Sequence, residues 1–525
     1  MKRDIEKLSK DKFDILVIGG GIHGVTVARE AAKNGYKTAL IEMNDFGHST
    51  SFNSMKVIHG GLRYLQHGNL KRIRQSVRSR KIMQRVAPDL IKAVPFLIPT
   101  YGHGIRSKVA MSAAILINDL ISFDRNSNIS SESYIPKGYT IGKEEVLKIL
   151  PGINKDKLTG GAIWYEAVVQ NTEKLLMRFL SDAFKHDFTA ANYVEAKDFI
   201  IQNNEVKGVR AKDLITFKEF NISSKLVINA VGPWFNLVQK SLNISDKPKI
   251  TLTKAVNIIV GKKIFSPYSV GLEGTKDFSD TNAIVKRGKR FFFFVPIEDY
   301  TMIGTTYKPY EGSINDCKIN KEDILEIIEE VNSICPSLKL TFDDVSFFHC
   351  GLLPKDDTPD PRNVQPEKHS IVYDYEKDFK LKGLISIKSV KYTTAPVIAE
   401  NIVKKIKRKI KPSSQRSVNY SDKEFNLVEE NKDISYLVCD DPPVTAAEIV
   451  NAIANEMAYK LEDVVLRRTR MGMLRCPSDE SITATAEIMA NELGWNEDKK
   501  SAEIDELQNV YSLLKNLEQD IKLNS

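Results

Sequence analysis

Gly19, Gly21 and Gly24 form a G-x-G-x-x-G turn directly behind the apolar run Phe13–Ile18. Glycines at this spacing permit a tight turn, close approach of backbone to a pyrophosphate, and close packing of the following helix on its sheet. The helix start at Ile22 and His23 then offers unpaired N–H groups and a positive dipole end to phosphates. Glu42 lies 18 residues past Gly24, where a carboxylate accepts hydrogen bonds from an adenosine ribose. Taken alone, the motif reads equally as a plain glycine turn. Its context supports the nucleotide reading: a strand at Phe13–Ile18, a helix over Ile22–Asn34 ended by Gly35, and a strand over Lys37–Ile41 that delivers Glu42.

These elements belong to a chain of 525 residues, long enough for two to four domains at roughly 100–200 residues each. With 42% hydrophobic and 27% charged residues the composition is globular, which excludes disordered, collagenous and low-complexity classes. The formal charge of +8 is a mild bias that fits an anionic substrate or lipid and does not argue for nucleic acid. Five cysteines without CxxC spacing predict reduced thiols in a reducing compartment, with neither a disulfide framework nor a metal site. The charged amino terminus lacks the apolar core of a secretory signal. The longest apolar stretch, Val109–Ile117, is far short of the roughly 18 residues a spanning helix needs. Strands are expected at Leu226–Ala230, Ala255–Val260, Phe291–Val295 and Thr301–Gly304. Residues 412–431 read as a linker. Beyond them Thr445 and Glu448 form a capping box, and the spacings of Ile449, Ile453, Met457 and of Ile504, Leu507, Tyr511, Leu514 predict an all-helical carboxy-terminal domain over 432–525.

The run Thr50–Leu65, TSFNSMKVIHGGLRYL, strongly resembles the FAD-binding segment of the FAD-dependent glycerol-3-phosphate dehydrogenases of the aerobic, quinone-linked type. Asn229–Trp234 (NAVGPW), Ile303–Thr306 (IGTT) and Leu466–Gly472 (LRRTRMG) resemble the same family, in the same order and across nearly the whole chain. The resemblance implies an α/β fold: a Rossmann-type FAD-binding domain (about 12–75, 150–240 and 350–411) interleaved with an α+β substrate domain on an antiparallel sheet (about 76–149 and 241–349). It favours FAD over NAD. It places Thr50, Ser51, Lys56, His59, Gly60, Gly61 and Leu62 around the flavin, Gly232 and Trp234 over it, and Lys391 with Thr393 beside it. Physically, Gly60 and Gly61 let the backbone lie flat against a planar ring, with His59 at its edge. Val194, ending a strand, would meet adenine through its backbone.

The implied reaction is oxidation of a phosphorylated polyol: a base takes the hydroxyl proton, a hydride moves to flavin, and cations hold the phosphate. A dianion calls for arginine or lysine. Arg63 is the first candidate, with Tyr64 beside it; Lys254 and Lys368 are further substrate candidates, and His349 and Lys391 are candidates for the base or a flavin-adjacent charge. The chain departs from the family pattern in this pocket. Leu353 stands where GVRPL would place an arginine, Lys254–Asn257 replaces KGSH, and Ser389–Ala395 replaces GGKLTTYR. The resemblance implies glycerol 3-phosphate or a related phosphorylated or anionic polyol as substrate, while these losses point to a phosphorylated or otherwise anionic compound other than, or bulkier than, glycerol 3-phosphate.

Lys404–Lys411, KKIKRKIK, sets Ile406 and Ile410 on one helical face among lysines, a pattern suited to anionic headgroups and also to a solvated helix. Lys71–Arg85 reads as a solvated basic face. The resemblance implies a cytoplasmic protein with peripheral contact at the inner membrane face, a membrane quinone as electron acceptor, no nucleic acid, and leaves a homodimer open. Two other readings stay open: an oxidase passing electrons to oxygen, and a non-catalytic flavin-binding protein.

Overall fold

In a computed structural model, described at residues 1–104, 107–242, 244, 247–277, 289–356, 364–413 and 436–523, the strand Lys12–Ile18 takes the central place in an eight-stranded sheet. Its backbone pairs in parallel with Glu219–Asn229 on one side (Ile15 opposite Leu226) and with Thr38–Ile41 on the other (Ile15 opposite Thr38). Phe188–Ala191 and Leu384–Lys388 extend the parallel order, and Ile371–Asp374 closes one edge antiparallel. Six of the seven residues of Lys12–Ile18 are buried, as expected of a strand covered on both faces. The helices Ile22–Lys33, Thr172–Ala183 and Ala395–Ile406 cover it, through a core that includes Val25, Leu40, Phe179 and Ile402. Helix Ile22–Lys33 can seat this closely because residue 24 is glycine: a Cβ there would lie 1.8 Å from the Gly19 carbonyl oxygen.

A second sheet of nine strands runs in the order Val345–Pro354, Leu252–Val260, Tyr300–Tyr310, Lys289–Ile297, Ser269–Asp277, Ile91–Tyr101, Leu158–Val169, Val57–Ile58, with Tyr139–Gly142 paired to Leu158–Val169. Its pairings are antiparallel except Ser269–Asp277 with Ile91–Tyr101. The α/β fold with an FAD-type sheet, an antiparallel-rich second sheet and a helical end is thus present. The expected strands all occur; most are longer than their apolar runs, as Tyr300–Tyr310 is against Thr301–Gly304, while the one expected at Lys37–Ile41 is shorter, Thr38–Ile41.

At the carboxy-terminal end the Thr445–Glu448 capping box opens helix Ala446–Glu456, followed by Asp479–Leu493 and Glu497–Leu523. The expectation of an all-helical unit needs one correction: Leu437–Asp440 and Pro443–Thr445 form a small hairpin. Most of the expected linker falls outside the described residues.

This unit is fastened to the nucleotide-binding sheet by buried charges. Asp45, three residues past Glu42, accepts from Arg467 Nε at 2.7 Å, Arg468 Nη1 at 2.8 Å, Arg468 Nη2 at 2.6 Å and Asn192 Nδ2 at 3.0 Å. Arg467 Nη2 also reaches Asp463, which accepts from the Tyr193 hydroxyl at 2.6 Å. Burial alone would raise the Asp45 carboxyl, but Arg468 and Arg467 hold it below its usual value; burial and Asp45 push Asp463 up. Removing one member of a fully buried pair strands the others, at about 3–5 kcal/mol. Asp45→Ala is expected to lose that much stability in denaturant unfolding, while Glu448→Ala, which removes only a half-exposed capping carboxylate, loses about 1 kcal/mol or less.

Candidate functional site

A cavity of about 1510 Å3 opens between the two sheets. That exceeds the roughly 300–1,000 Å3 usual for small-molecule sites and leaves room for a dinucleotide with a second molecule. One end is built by the glycine turn. Gly19, Gly21, Ile22 and His23 line it, and helix Ile22–Lys33 begins at Gly21 with no side-chain cap of its own. Ser51 Oγ accepts the Ile22 N–H at 3.0 Å, bringing the Thr50–Ser51 loop against the helix start. Glu42 lines the cavity at the end of Thr38–Ile41 and accepts the N–H groups of Gly20 (2.5 Å) and Asn44 (2.8 Å). Burial raises its carboxyl above the ordinary value. Val194 lines the same end, but its N–H is already donated to the Glu42 carbonyl at 2.8 Å. The tight Gly19–Gly24 turn, a helix start whose N-cap glycine brings no side chain of its own, and a carboxylate at the strand end fit the pyrophosphate and ribose of FAD.

The other end gathers His59, Leu62, Arg63, Tyr64, Lys368 and Lys391. Gly61, at φ +101°, turns the chain into the short helical segment Leu62–His67 that presents Arg63 and Tyr64. Lys391 Nζ donates to the Tyr64 hydroxyl at 2.5 Å and lies 4.6 Å from its ring centroid. Arg72 packs on the same ring at 5.1 Å and donates to the Lys368 carbonyl. Burial, then the charges of Arg72, Arg63 and Lys368, push Lys391 down to about 7. His59 opens onto the cavity with 56% of its side chain exposed, an area that faces the cavity interior. Enclosure by the walls, with Lys391, Arg63 and Arg80 nearby, lowers its imidazole to about 4, so it is neutral at pH 7. Its Nδ1 lies 4.0 Å from Glu166, a buried carboxylate that accepts from the Gly60 N–H, from Trp164 Nε1 at 3.1 Å and from Arg80 at 3.4 Å.

Gly232, Trp234 and Thr393 also line the cavity, and Trp234 Nε1 donates to Asn315 at 3.0 Å. His23 lies at the wall with Nε2 3.2 Å from the Lys391 carbonyl. Gly24 and Gly60 sit behind the lining; Gly60 faces Arg80 and Glu166, where a Cβ would come within 2.6 Å of the guanidinium.

Three expected site residues lie elsewhere. Lys56 is buried and paired with Glu173 at 3.2 Å, while its neighbours Met55 and Val57 face the cavity. Lys254 is paired with Asp323 at 2.5 Å; Ala255 and Asn257 of its strand line the cavity, and Lys254 does not. His349 is fully buried beneath the loop at Phe52–Ser54, its ring 5.1 Å from Phe52 and Nδ1 3.2 Å from the Ser54 carbonyl. Burial and Lys56 lower it to about 3. Sequence reading missed Arg72, Arg290, Asn257 and Glu166, all cavity-lining. Arg72 carried the one available signal, nine residues after Arg63 at the start of a basic helix.

Comparison with known proteins agrees with this geometry. Residues 14–402 match the family model described as FAD dependent oxidoreductase, and residues 419–500 match the C-terminal domain of alpha-glycerophosphate oxidase. A glycerol-3-phosphate dehydrogenase from Synechocystis sp. is 28% identical, over 96% of this chain and 97% of the relative. An alpha-glycerophosphate oxidase from Lactococcus lactis subsp. lactis is 32% identical over 67% of this chain, and the match spans only 56% of that oxidase. Among solved structures, the glycerol-3-phosphate dehydrogenase from Bacillus halodurans complexed with FAD superposes with a TM-score of 0.69 at 23% identity, covering 97% of this chain and 96% of that one. Since the first of these models spans well over half of its length, the chain belongs to the family of FAD dependent oxidoreductases.

Proposed function

We propose that this flavoenzyme oxidises glycerol 3-phosphate, or a closely related phosphorylated polyol, and passes the electrons to a membrane quinone. The observation that carries this reading is the juxtaposition of a neutral imidazole, His59, with four cations, Arg63, Arg72, Lys368 and Lys391, at one end of the cavity. FAD supplies the two-electron acceptor for the substrate C–H hydride. The cations bind the phosphate by charge-assisted hydrogen bonds. His59 takes the hydroxyl proton, and Glu166, 4.0 Å from Nδ1, stabilises the imidazolium that results. The relatives are named for glycerophosphate dehydrogenase and oxidase activities, which supports the substrate. Leu353 does line the cavity in place of a cation, but Arg72 and Arg290 add cations that the sequence comparison did not count. Leu353 therefore does not by itself call for a bulkier substrate.

A face for the quinone is supported by helix Lys108–Ile121. Val109, Leu116, Leu120 and nearby Phe123 are 80%, 61%, 66% and 81% exposed, while Ala110, Met111, Ala114 and Ile117 line the cavity. Among the described residues no helix is long and apolar enough to cross a membrane, so contact here would be interfacial. The KKIKRKIK segment has a different role from the one expected. Ile406 is fully buried, Ile410 packs on the same core, and Lys409 pairs with Asp374 at 2.9 Å, leaving only the other basic side chains to face an anionic surface.

Anaerobic addition of glycerol 3-phosphate to the FAD-loaded protein is expected to bleach the flavin absorbance; bleaching by no phosphorylated polyol would overturn the reading. Reoxidation by a soluble quinone analogue without hydrogen peroxide is expected, whereas stoichiometric peroxide from oxygen would make it an oxidase. Arg63→Ala removes one charge-assisted contact, worth about 1.5–3 kcal/mol, and should raise KM roughly 10–150-fold with a smaller change in kcat. Lys391 loses its proton above about 7 in the free enzyme, so phosphate binding weakens as pH rises through that value. The kcat/KM profile of the wild type should fall there, and Lys391→Met should lack that limb.

A further inference from the structure

Cys317 and Cys350, 33 residues apart, bring their sulfurs within 3.6 Å. Cys317 follows the turn Ile314–Asp316, and Cys350 lies in the strand Val345–Pro354. Both are free and half-buried, whereas Cys335 and Cys439 are buried. A disulfide needs sulfurs about 2.05 Å apart, so closure is a movement of about 1.5 Å. The surroundings separate the roles of the two thiols. The hydrogen bond from Cys350 and the Lys254 charge lower Cys317 against the effect of burial, while the same contact and burial raise Cys350. Cys317 is thus the sulfur that ionises and attacks, and Cys350 the one that resolves.

We propose that Cys317 and Cys350 are a peroxide-responsive dithiol that closes to a disulfide and stiffens one wall of the substrate cavity. The Cys317 thiolate attacks one oxygen of hydrogen peroxide, the O–O bond breaks, and the departing hydroxide takes a proton to leave as water, giving a sulfenic acid. The Cys350 thiol then attacks that sulfur; the S–O bond breaks and a second water leaves. The two sulfurs lose two electrons and the peroxide gains them.

The wall is affected because both cysteines lie within two or three residues of positions that line it. Two residues before Cys317, Asn315 lines the cavity and accepts from Trp234 Nε1 at 3.0 Å. Beside Cys350, whose N–H donates to Asn53 at 3.0 Å, the Leu352 carbonyl accepts from Thr50 at 2.8 Å and Leu353 lines the cavity. A covalent bond between them ties the Trp234–Asn315 wall to the Leu353 wall and hinders the adjustment that admits substrate.

The test is a thiol map of the FAD-loaded protein after treatment with hydrogen peroxide, alkylation and digestion without reductant. The expected result is a Cys317–Cys350 linked peptide, two fewer alkylated cysteines out of five, and recovery with dithiothreitol. Both cysteines still alkylated, or Cys317 oxidised without a link, would overturn the dithiol. This map is read without turnover and so stands apart from the substrate assignment. In parallel, the linked form should show KM for glycerol 3-phosphate raised several-fold, with no response in Cys317→Ser or Cys350→Ser. A linked form with unchanged KM would overturn the effect on the wall.

Discussion

The carboxylate of Asp45 is the point on which the nucleotide-binding body and the carboxy-terminal unit both depend. A buried, unpaired carboxylate is costly, and here it is compensated by three guanidinium N–H groups and one amide. The donors come from residues 192, 467 and 468, so the loop that follows Glu42 takes its shape from segments distant in the chain. Glu42 in turn holds Gly20 and Asn44 by their N–H groups. Through Asp463 and Tyr193, whose N–H donates to the Asn44 carbonyl at 3.1 Å, hydrogen-bonded residues run from Arg467 of the helical unit to the glycine turn.

At the opposite end of the cavity the electrostatics are deliberately unbalanced. Burial first, and then the charges of Arg72, Arg63 and Lys368, pull Lys391 down to about 7. A free-standing cluster of this kind lowers stability, and it is relieved when a dianion enters. Glu166 keeps the repulsion from extending to the interior, because its charge is committed to Arg80, Trp164 and the Gly60 backbone. Local conflict concentrated at one end of a cavity, with a well-matched fold around it, is where function is expected to lie.

What the sequence disclosed follows from the range of the signals. The glycine turn, Glu42, the HGGLRYL segment and the Thr445 capping box are local patterns, and each is found where spacing put it. Errors arose where a side chain's direction depends on its register. Lys254 is one residue from cavity-lining Ala255, and one step along an extended strand reverses the direction of a side chain, while Lys56 sits at a left-handed turn (φ +56°) between cavity-lining Met55 and Val57. His349 was hidden by the overlying Phe52–Ser54 loop, which no local pattern announces. Arg72 meets the Lys368 carbonyl, and Glu166 meets Arg80, across 296 and 86 residues of sequence, beyond the reach of any local pattern. Of the KKIKRKIK isoleucines, Ile406 ends the helix and Ile410 lies beyond it, and both pack on the core, since periodicity says that a face is apolar without saying what covers it.

The sheet order of the nucleotide-binding body also constrains how the chain is made. Lys12–Ile18 emerges first from the ribosome, yet its parallel neighbour Glu219–Asn229 follows some two hundred residues later, and Leu384–Lys388 later still. Parallel pairing at such separations is slow and cannot finish before its last strand is synthesised. The glycine turn therefore exists as sequence long before it exists as a binding site. Cofactor capture is a late event in biogenesis, and the apolar first strand has only Thr38–Ile41 beside it until Glu219–Asn229 has been made.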